Sequence, residues 1–473
     1  MLPFVFPILV AQAIPIPVSP PNPLLTPQRT IPPQIAPAPT TEQPPQPQTI
    51  SVAQPVRPLP GKLDNIPVFN SNNPELIFNE GIILSTLPSI GMGSPYAHLN
   101  FPFKGRFDVF AHHVIQDTPQ RQGRNLHLGI LLFNGSRKPV TIDVLQGASY
   151  ITSEAPFLDL PAQVEDPNGT VFAGPGSRSM VDILRGQRQP TIPPQIVLQP
   201  GESRMLLNAP IPVNSTNLTR NGISAYFRLN SNGEVYGASM AMYSRQDAMG
   251  VNVPPSLEDW TNLLKTANLM TPRDRIPRNT QRRIYSRVAG VSIGSQWQAN
   301  ITDNPNGANL TIPSAGQAFS YPISTLEGGR MGTNQSQAAK MAVRYPDTAY
   351  ESHGNYGMQY TLSLPLYNPT SQFQQVSLAI ETPLKQDQIT DGQLKFLVPP
   401  ARNVFFRGTV KMSYPDDNGI QQTRYFHLVQ RRGQQGDPLI TLNMRPGDRR
   451  TVQVELIYPP DSTPPQILTV KTR

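Results

Sequence analysis

Short runs of alternating apolar and polar residues recur along this chain and set its class. Leu126, Leu128, Ile130 and Leu132 form one such run, and Val140, Ile142 and Val144 form another after Asn134-Gly135-Ser136. Residues 225–229 and 235–242 flank Asn232-Gly233, and residues 409–414 and 422–429 flank Asn418-Gly419. Alternation places one side of a strand in a core and the other in solvent, and Asn-Gly supplies the positive φ of a tight turn. The pattern predicts three hairpins and an all-β body of the sandwich or barrel class.

The two halves echo each other. Leu128, Ile130, Leu132, Phe133 and Asn134 match Leu362, Leu364, Leu366, Tyr367 and Asn368. With a two-residue insertion, Val140, Ile142 and Val144 then match Val376, Leu378 and Ile380. Pro200-Gly201-Glu202 and Pro446-Gly447-Asp448 each lie between two alternating runs. Two readings fit: duplication, or the shared grammar of unrelated sandwiches. Against simple duplication, the Asn-Gly hairpin follows the Pro-Gly-acid turn in the first half and precedes it in the second.

Between the halves the spacing changes to that of a helix. Ser256 caps and Asp259 completes a capping box after Pro254-Pro255, with Leu257, Trp260, Leu264 and Ala267 on one face. The predicted architecture is two β-sandwich-like domains, 61–250 and 273–473, joined by a helical connector at 251–272. A Pro-rich disordered segment precedes them. That segment, residues 14–60, holds 16 prolines and should populate extended polyproline II as a spacer. Before it, the apolar run 2–10 ends in Ala11-Gln12-Ala13, a removable export signal over residues 1–13, although no Lys or Arg follows Met1. The alternative for the run is a first strand, which Pro3 and Pro7 disfavour. At about half the roughly 20 residues of a spanning helix it is too short to cross a bilayer, and no other segment predicts a transmembrane span.

Composition sharpens the setting. Only 15% of residues are charged, the net charge is +8, and there is no cysteine. Absence of cysteine removes disulfides, thiolate metal sites and Cys nucleophiles. With the export signal, these features predict a periplasmic, outer-envelope or extracellular protein held by its core alone.

Candidate chemistry is sparse. Arg273, Arg275, Arg278, Arg282, Arg283 and Arg287 form the strongest charge cluster. It reads either as an anion-binding patch for phosphate or carboxylate groups or as a solvated linker paired with neighbouring acids. His112 and His113 invite a metal, yet neighbours on a strand point to opposite faces, so no metal site is predicted. His98, His353 and His427 read as isolated and structural. The loop 173–178 is glycine-rich but lacks the Lys-Ser/Thr of a phosphate loop, and reads as a turn. No catalytic motif and no cofactor motif is present. Trp260 and Trp297 are the only tryptophans for sugar stacking. Nucleic acid is not expected as a partner, and oligomeric state is not encoded legibly.

Five phrases give the chain a family likeness: residues 107–113 (Phe107 to His113), 173–178 (Ala173 to Arg178), 287–291 (Arg287 to Val291), 353–356 (His353 to Tyr356) and 458–461 (Tyr458 to Asp461). The chain resembles, from about residue 60 to its end, an uncharacterised family of exported cyanobacterial proteins known only as a domain of unknown function. The resemblance implies an envelope or extracellular setting and no activity. Two functional readings follow. One is a structural or adhesive envelope protein that contacts envelope proteins or anionic glycans. The other is a polysaccharide-active hydrolase or carbohydrate-binding protein with a site between the two domains. A deep cleft lined by carboxylates and tyrosines would favour the second; flat polar faces and an exposed edge strand would favour the first.

Overall fold

A computed structural model describes residues 46–116, 123–212, 219–271, 273, 287–390 and 392–473. The export signal over 1–13 and most of the Pro-rich spacer lie outside the described residues. The spacer nevertheless ends earlier than Pro60. Gln48–Ala53 is a strand paired antiparallel with Gln393–Val398, and Leu59 is buried in the core. Between them Gln54 donates through Nε2 to Ser320 Oγ, to Glu381 Oε2 at 3.1 Å and to Thr469 Oγ1 at 2.9 Å. Its amide thereby partners the buried Glu381 carboxylate, which would be costly to leave unbonded.

The body is β throughout, as the alternation requires. One core lies between two sheets that share a single strand, Arg220–Tyr243. Its first part pairs with Phe103–Gln116 and Val140–Ile151, and its last part with Leu126–Phe133 and Gly81–Ser85. The second core lies between a four-stranded sheet, ordered Ala318–Ile323, Gln466–Thr472, Gln374–Glu381, Ile440–Met444, and a larger sheet built on Gln359–Tyr367, Arg449–Ile457 and Val404–Pro415. Each half lends strands to the other. Ala289–Ile293 joins the first half's sheet beside Pro67–Ser71, and Gln163–Glu165 joins the second half's sheet beside Gln421–Arg431. Residues 46–473 form one compact unit.

The internal echo is a real five-strand unit. Leu126–Phe133, Val140–Ile151, Gln195–Leu198, Ser203–Ile211 and Arg220–Tyr243 pair as do Gln359–Tyr367, Gln374–Glu381, Ile440–Met444, Arg449–Ile457 and Gln466–Thr472. An asparagine organises the same corner in both. Asn134 Nδ2 donates to the carbonyls of Lys138, Leu198 and Gln199 at 2.8, 3.0 and 3.1 Å, while Oδ1 accepts from the Ser136 amide at 2.9 Å. Asn368 Nδ2 donates to those of Gln372, Met444 and Arg445 at 2.9, 3.0 and 3.1 Å, and Oδ1 accepts from Thr370 at 3.0 Å. The Pro-Gly-acid turn closes each corner: Gly201 and Gly447 donate backbone N–H groups to Asn134 and Asn368 at 2.9 Å.

The pairings also correct the sequence alignment. Val140 lies opposite Leu198 and Gln374 opposite Met444, so Val140 corresponds to Gln374 and no two-residue insertion exists. Gln374 is buried, and a polar residue at an inward position had displaced the apolar match onto Val376.

Two of the three expected hairpins are corrected as well. Leu126–Phe133 and Val140–Ile151 lie in different sheets, so Asn134-Gly135 turns an arch between sheets instead of a hairpin. Asn232-Gly233 lies within the continuous strand Arg220–Tyr243. Gly233 does not adopt positive φ there; a Cβ on it would come within 2.6 Å of Val140, so glycine serves close approach where the strand changes sheets. Asn418-Gly419 is a true hairpin turn, with Gly419 at φ 78° between Val404–Pro415 and Gln421–Arg431. This hairpin precedes the Pro-Gly-acid turn at the place where the first half carries a helix. The differing order therefore reflects different insertions into a common unit.

That helix is α1 (Pro175–Leu184), and its first residues overlap the 173–178 loop, which the sequence predicts as a turn. The connector helix α2 (Leu257–Thr266) forms with its predicted capping box, Ser256 accepting from the Asp259 amide at 3.2 Å. Trp260 and Leu264 are buried, but Leu257 faces outward and the helix ends before Ala267. Among the described residues no helix is long and apolar enough to cross a membrane.

Candidate functional site

Segments far apart in sequence meet at a cleft of about 300 Å³ where the two halves interleave. Strand Phe103–Gln116 brings His112 to it, and the chain leaving its parallel neighbour Pro67–Ser71 brings Asn72 and Glu75. Asn72 N–H donates to Val288 O at 3.0 Å, and Asn73 Nδ2 to Arg287 O at 3.1 Å, which fixes Arg287 and Val288 at the rim. Ser352, His353, Gly354 and Tyr356 enter from one connection, Leu326 and Lys385 from others, and Pro460, Thr463 and Pro464 from the loop before Gln466–Thr472.

The charged groups are arranged around Glu75. Its Oε2 pairs with Arg287, and its Oε1 lies 3.8 Å from His112 Nε2. Both carboxylate and guanidinium remain partly open, at 27% and 41% side-chain exposure. His112 is anchored from behind by a 2.8 Å hydrogen bond between Nδ1 and Ser224 Oγ. Burial lowers its pKa to about 3, helped by the charges of His113 and Arg287, so the imidazole is neutral at ordinary pH. Lys385 is also shifted down by burial, with Asp387 opposing. Tyr356 ties its hydroxyl to Ser462 O at 3.0 Å and stacks on Tyr458 at 6.4 Å, and burial raises its pKa to about 12.

Asp461 stands behind the cleft wall. The residue is half-buried, yet its Oδ2 is enclosed without a hydrogen-bond partner. Burial raises its pKa to about 7; Arg407 and the Gly176 amide oppose the shift, and Glu75 reinforces it. The carboxylate lies against the first turn of α1. A Cβ on Gly176 would come within 2.6 Å of Asp461 Oδ2 and 2.4 Å of Pro460, so glycine is what lets helix and loop touch.

The geometry gathers the phrases of the family likeness. His112, Arg287, Val288, His353, Gly354, Tyr356 and Pro460 line the cleft, and Gly176 backs Pro460. Sequence reasoning missed Glu75, Lys385 and α1. Pro175 at the first helical position, with Met180, Ile183 and Leu184 on one face, was the available signal for the helix.

Of the arginine cluster, Arg273 and Arg287 lie among the described residues, and they sit in different surroundings. Arg273 is buried, with Nε 3.3 Å from Asp347, an N–H to Ile83 O at 3.2 Å and its guanidinium over Tyr345 at 4.7 Å. It is a core residue beside an acid. Arg287 lies on the cleft, and Arg275, Arg278, Arg282 and Arg283 lie outside the described residues. His113 faces away from His112, bonding Ser71 Oγ at 2.9 Å and Pro74 O at 2.8 Å. Among the described residues no group of His, Asp or Glu is arranged to hold a metal ion. Trp260 and Trp297 are both buried, so neither offers a stacking face, and Tyr356 is the aromatic residue at the cleft.

A family model described as "Protein of unknown function (DUF3370)" matches residues 54–472. No curated protein matches the chain.

Proposed function

The chain belongs to this family of unknown function, DUF3370, and from that premise we propose that it is a non-catalytic envelope or extracellular binding protein whose cleft takes a saccharide unit of anionic polysaccharide. The observation that carries this reading is the convergence of the family-like phrases on one cleft. Its volume, about 300 Å³, sits at the small end of ligand pockets (about 300–1,000 Å³). That suits a single sugar residue better than a long chain. Tyr356, Pro460 and Pro464 supply apolar walls for the C–H face of a sugar ring, while Asn72, Ser352 and His353 supply polar edges.

Binding fits better than hydrolysis. A glycosidase needs two accessible carboxyl groups flanking the bond. Here Glu75 is held by Arg287 and the Asp461 Oδ2 is enclosed. The reading of residues 1–13 as an export signal, with the Pro-rich run after them, accords with presentation outside the cytoplasm.

The test is binding of the full chain to immobilised polygalacturonate and to a neutral glucan. The acidic polymer is expected to bind more tightly and to weaken with salt, since exposed charges are screened within about 10 Å at 0.1 M. Arg287→Ala should weaken binding by about ten-fold or more, the worth of a charge-assisted hydrogen bond. Equal retention of both polymers by wild type and variant would overturn the reading.

A further inference from the structure

The cleft already contains a carboxylate in the place where a ligand's carboxylate would go. Glu75 occupies Arg287, the cleft's guanidinium, in a pair that is open to solvent on both sides. A second cation, Lys385, lines the same space. The resident carboxylate has somewhere to retreat. Its other oxygen is 3.8 Å from His112 Nε2, just beyond hydrogen-bond range (about 2.7–3.2 Å). His112 cannot follow, because Nδ1 is fixed on Ser224 at 2.8 Å.

We propose that Glu75 is a built-in stand-in for the ligand: a uronic-acid residue binds by placing its carboxylate on Arg287, and Glu75 is displaced towards His112. This rests on the reading of the cleft as a saccharide site and adds the group recognised and the exchange that admits it. A planar guanidinium presents paired N–H donors to a carboxylate, so it selects the acid over its ester. Glu75 then acts as a competitor whose removal strengthens binding. It also discourages neutral sugars, which cannot replace its charge on Arg287.

Calorimetric titration of the full chain with trigalacturonate, its methyl ester and neutral cellotriose tests the exchange. Trigalacturonate is expected to bind at least about ten-fold more tightly than either uncharged sugar, the worth of one charge-assisted pair. Glu75→Gln is expected to tighten trigalacturonate binding by about three- to ten-fold, since an open ion pair of about 1 kcal/mol no longer has to be broken. Arg287→Lys keeps the charge and loses the fork, and should give up most of the preference for acid over ester. If all three sugars bind alike, or Glu75→Gln weakens the acid and ester equally, the exchange is wrong while the saccharide site stands. If none of the three binds, the site itself is wrong and the exchange falls with it. Glu75→Ala, which also removes the competing carboxylate, is expected to tighten the acid as Glu75→Gln does, and it keeps the exchange testable where Glu75→Gln fails to fold.

Discussion

Asn134→Ala and Asn368→Ala are each expected to destabilise the fold by about 3–5 kcal/mol, among the largest single-residue effects in the chain. Each side chain is fully buried and each Nδ2 serves three backbone carbonyls at the mouth of an arch. Alanine leaves those carbonyls without their donor and opens a cavity between the arch and the Pro-Gly-acid turn. An unsatisfied buried polar group costs roughly 1–3 kcal/mol, and partial access of water keeps the total below the simple sum. Aspartate at either position should be worse, because it sets a carboxylate oxygen against the carbonyls. The two corners share no partner, so the double variant should lose close to the sum of the single losses. Denaturant midpoints with unchanged slopes measure this. A loss under 1 kcal/mol at both sites would show that the corners are not what holds the arches.

Stability is expected to fall as pH drops below 6.5, where the buried histidines begin to cost the fold. His112, His113 and His427 are buried, and burial lowers their pKa values to about 3, 4 and 4 from an ordinary 6.5. An unfolded chain takes up protons on these rings near pH 6.5, while the folded chain refuses them until far lower pH. Their contribution is therefore fully present above pH 6.5 and is lost as pH falls from 6.5 towards 4. A shift of this size is worth on the order of 3 kcal/mol per fully buried ring. Asp461 works in the opposite sense. Its folded pKa of about 7 exceeds the ordinary 3.8, so its term favours the fold below about pH 4 and is lost as pH rises to 7. Three histidines outweigh one aspartate, and net stability should fall on acidification. Denaturation midpoints between pH 7.5 and 4.5 should show the slope, and His113→Asn, which keeps a polar group near Ser71 and Pro74, should flatten it. A stability independent of pH across that interval would contradict the burial of these rings as neutral species.

How much of this was legible in the sequence depended on whether the signal was local. Alternation gave the β class, because period two needs only neighbours. The capping box gave the start of α2, because Ser256 and Asp259 bond within one turn. The Asn-Gly pairs misled at two places of three. The dipeptide encodes a bend, but whether a bend joins strands of one sheet or crosses to another is decided by distant partners such as Leu198 for Asn134 and Val140 for Gly233. Helix α1 stayed hidden because Gly176, inside its first turn, disfavours a helix locally, and packing against both halves overrides that preference. The site was legible only in fragments. The phrases from His112 to Pro460 are each local, but nothing along the chain says that they meet. Glu75 belongs to none of them; it is found only because Arg287 lies beside it.

The cleft between the interleaved halves is the proposed ligand site. Hydrogen exchange of the full chain with and without saturating trigalacturonate tests it most directly, since ligand slows local opening where it binds. Slower exchange is predicted at residues 72–75, 287–288, 352–356 and 460–464, where the cleft is built, with little change at the Asn134 and Asn368 corners. Protection confined to strand edges or corners, with those four segments unchanged, would contradict it.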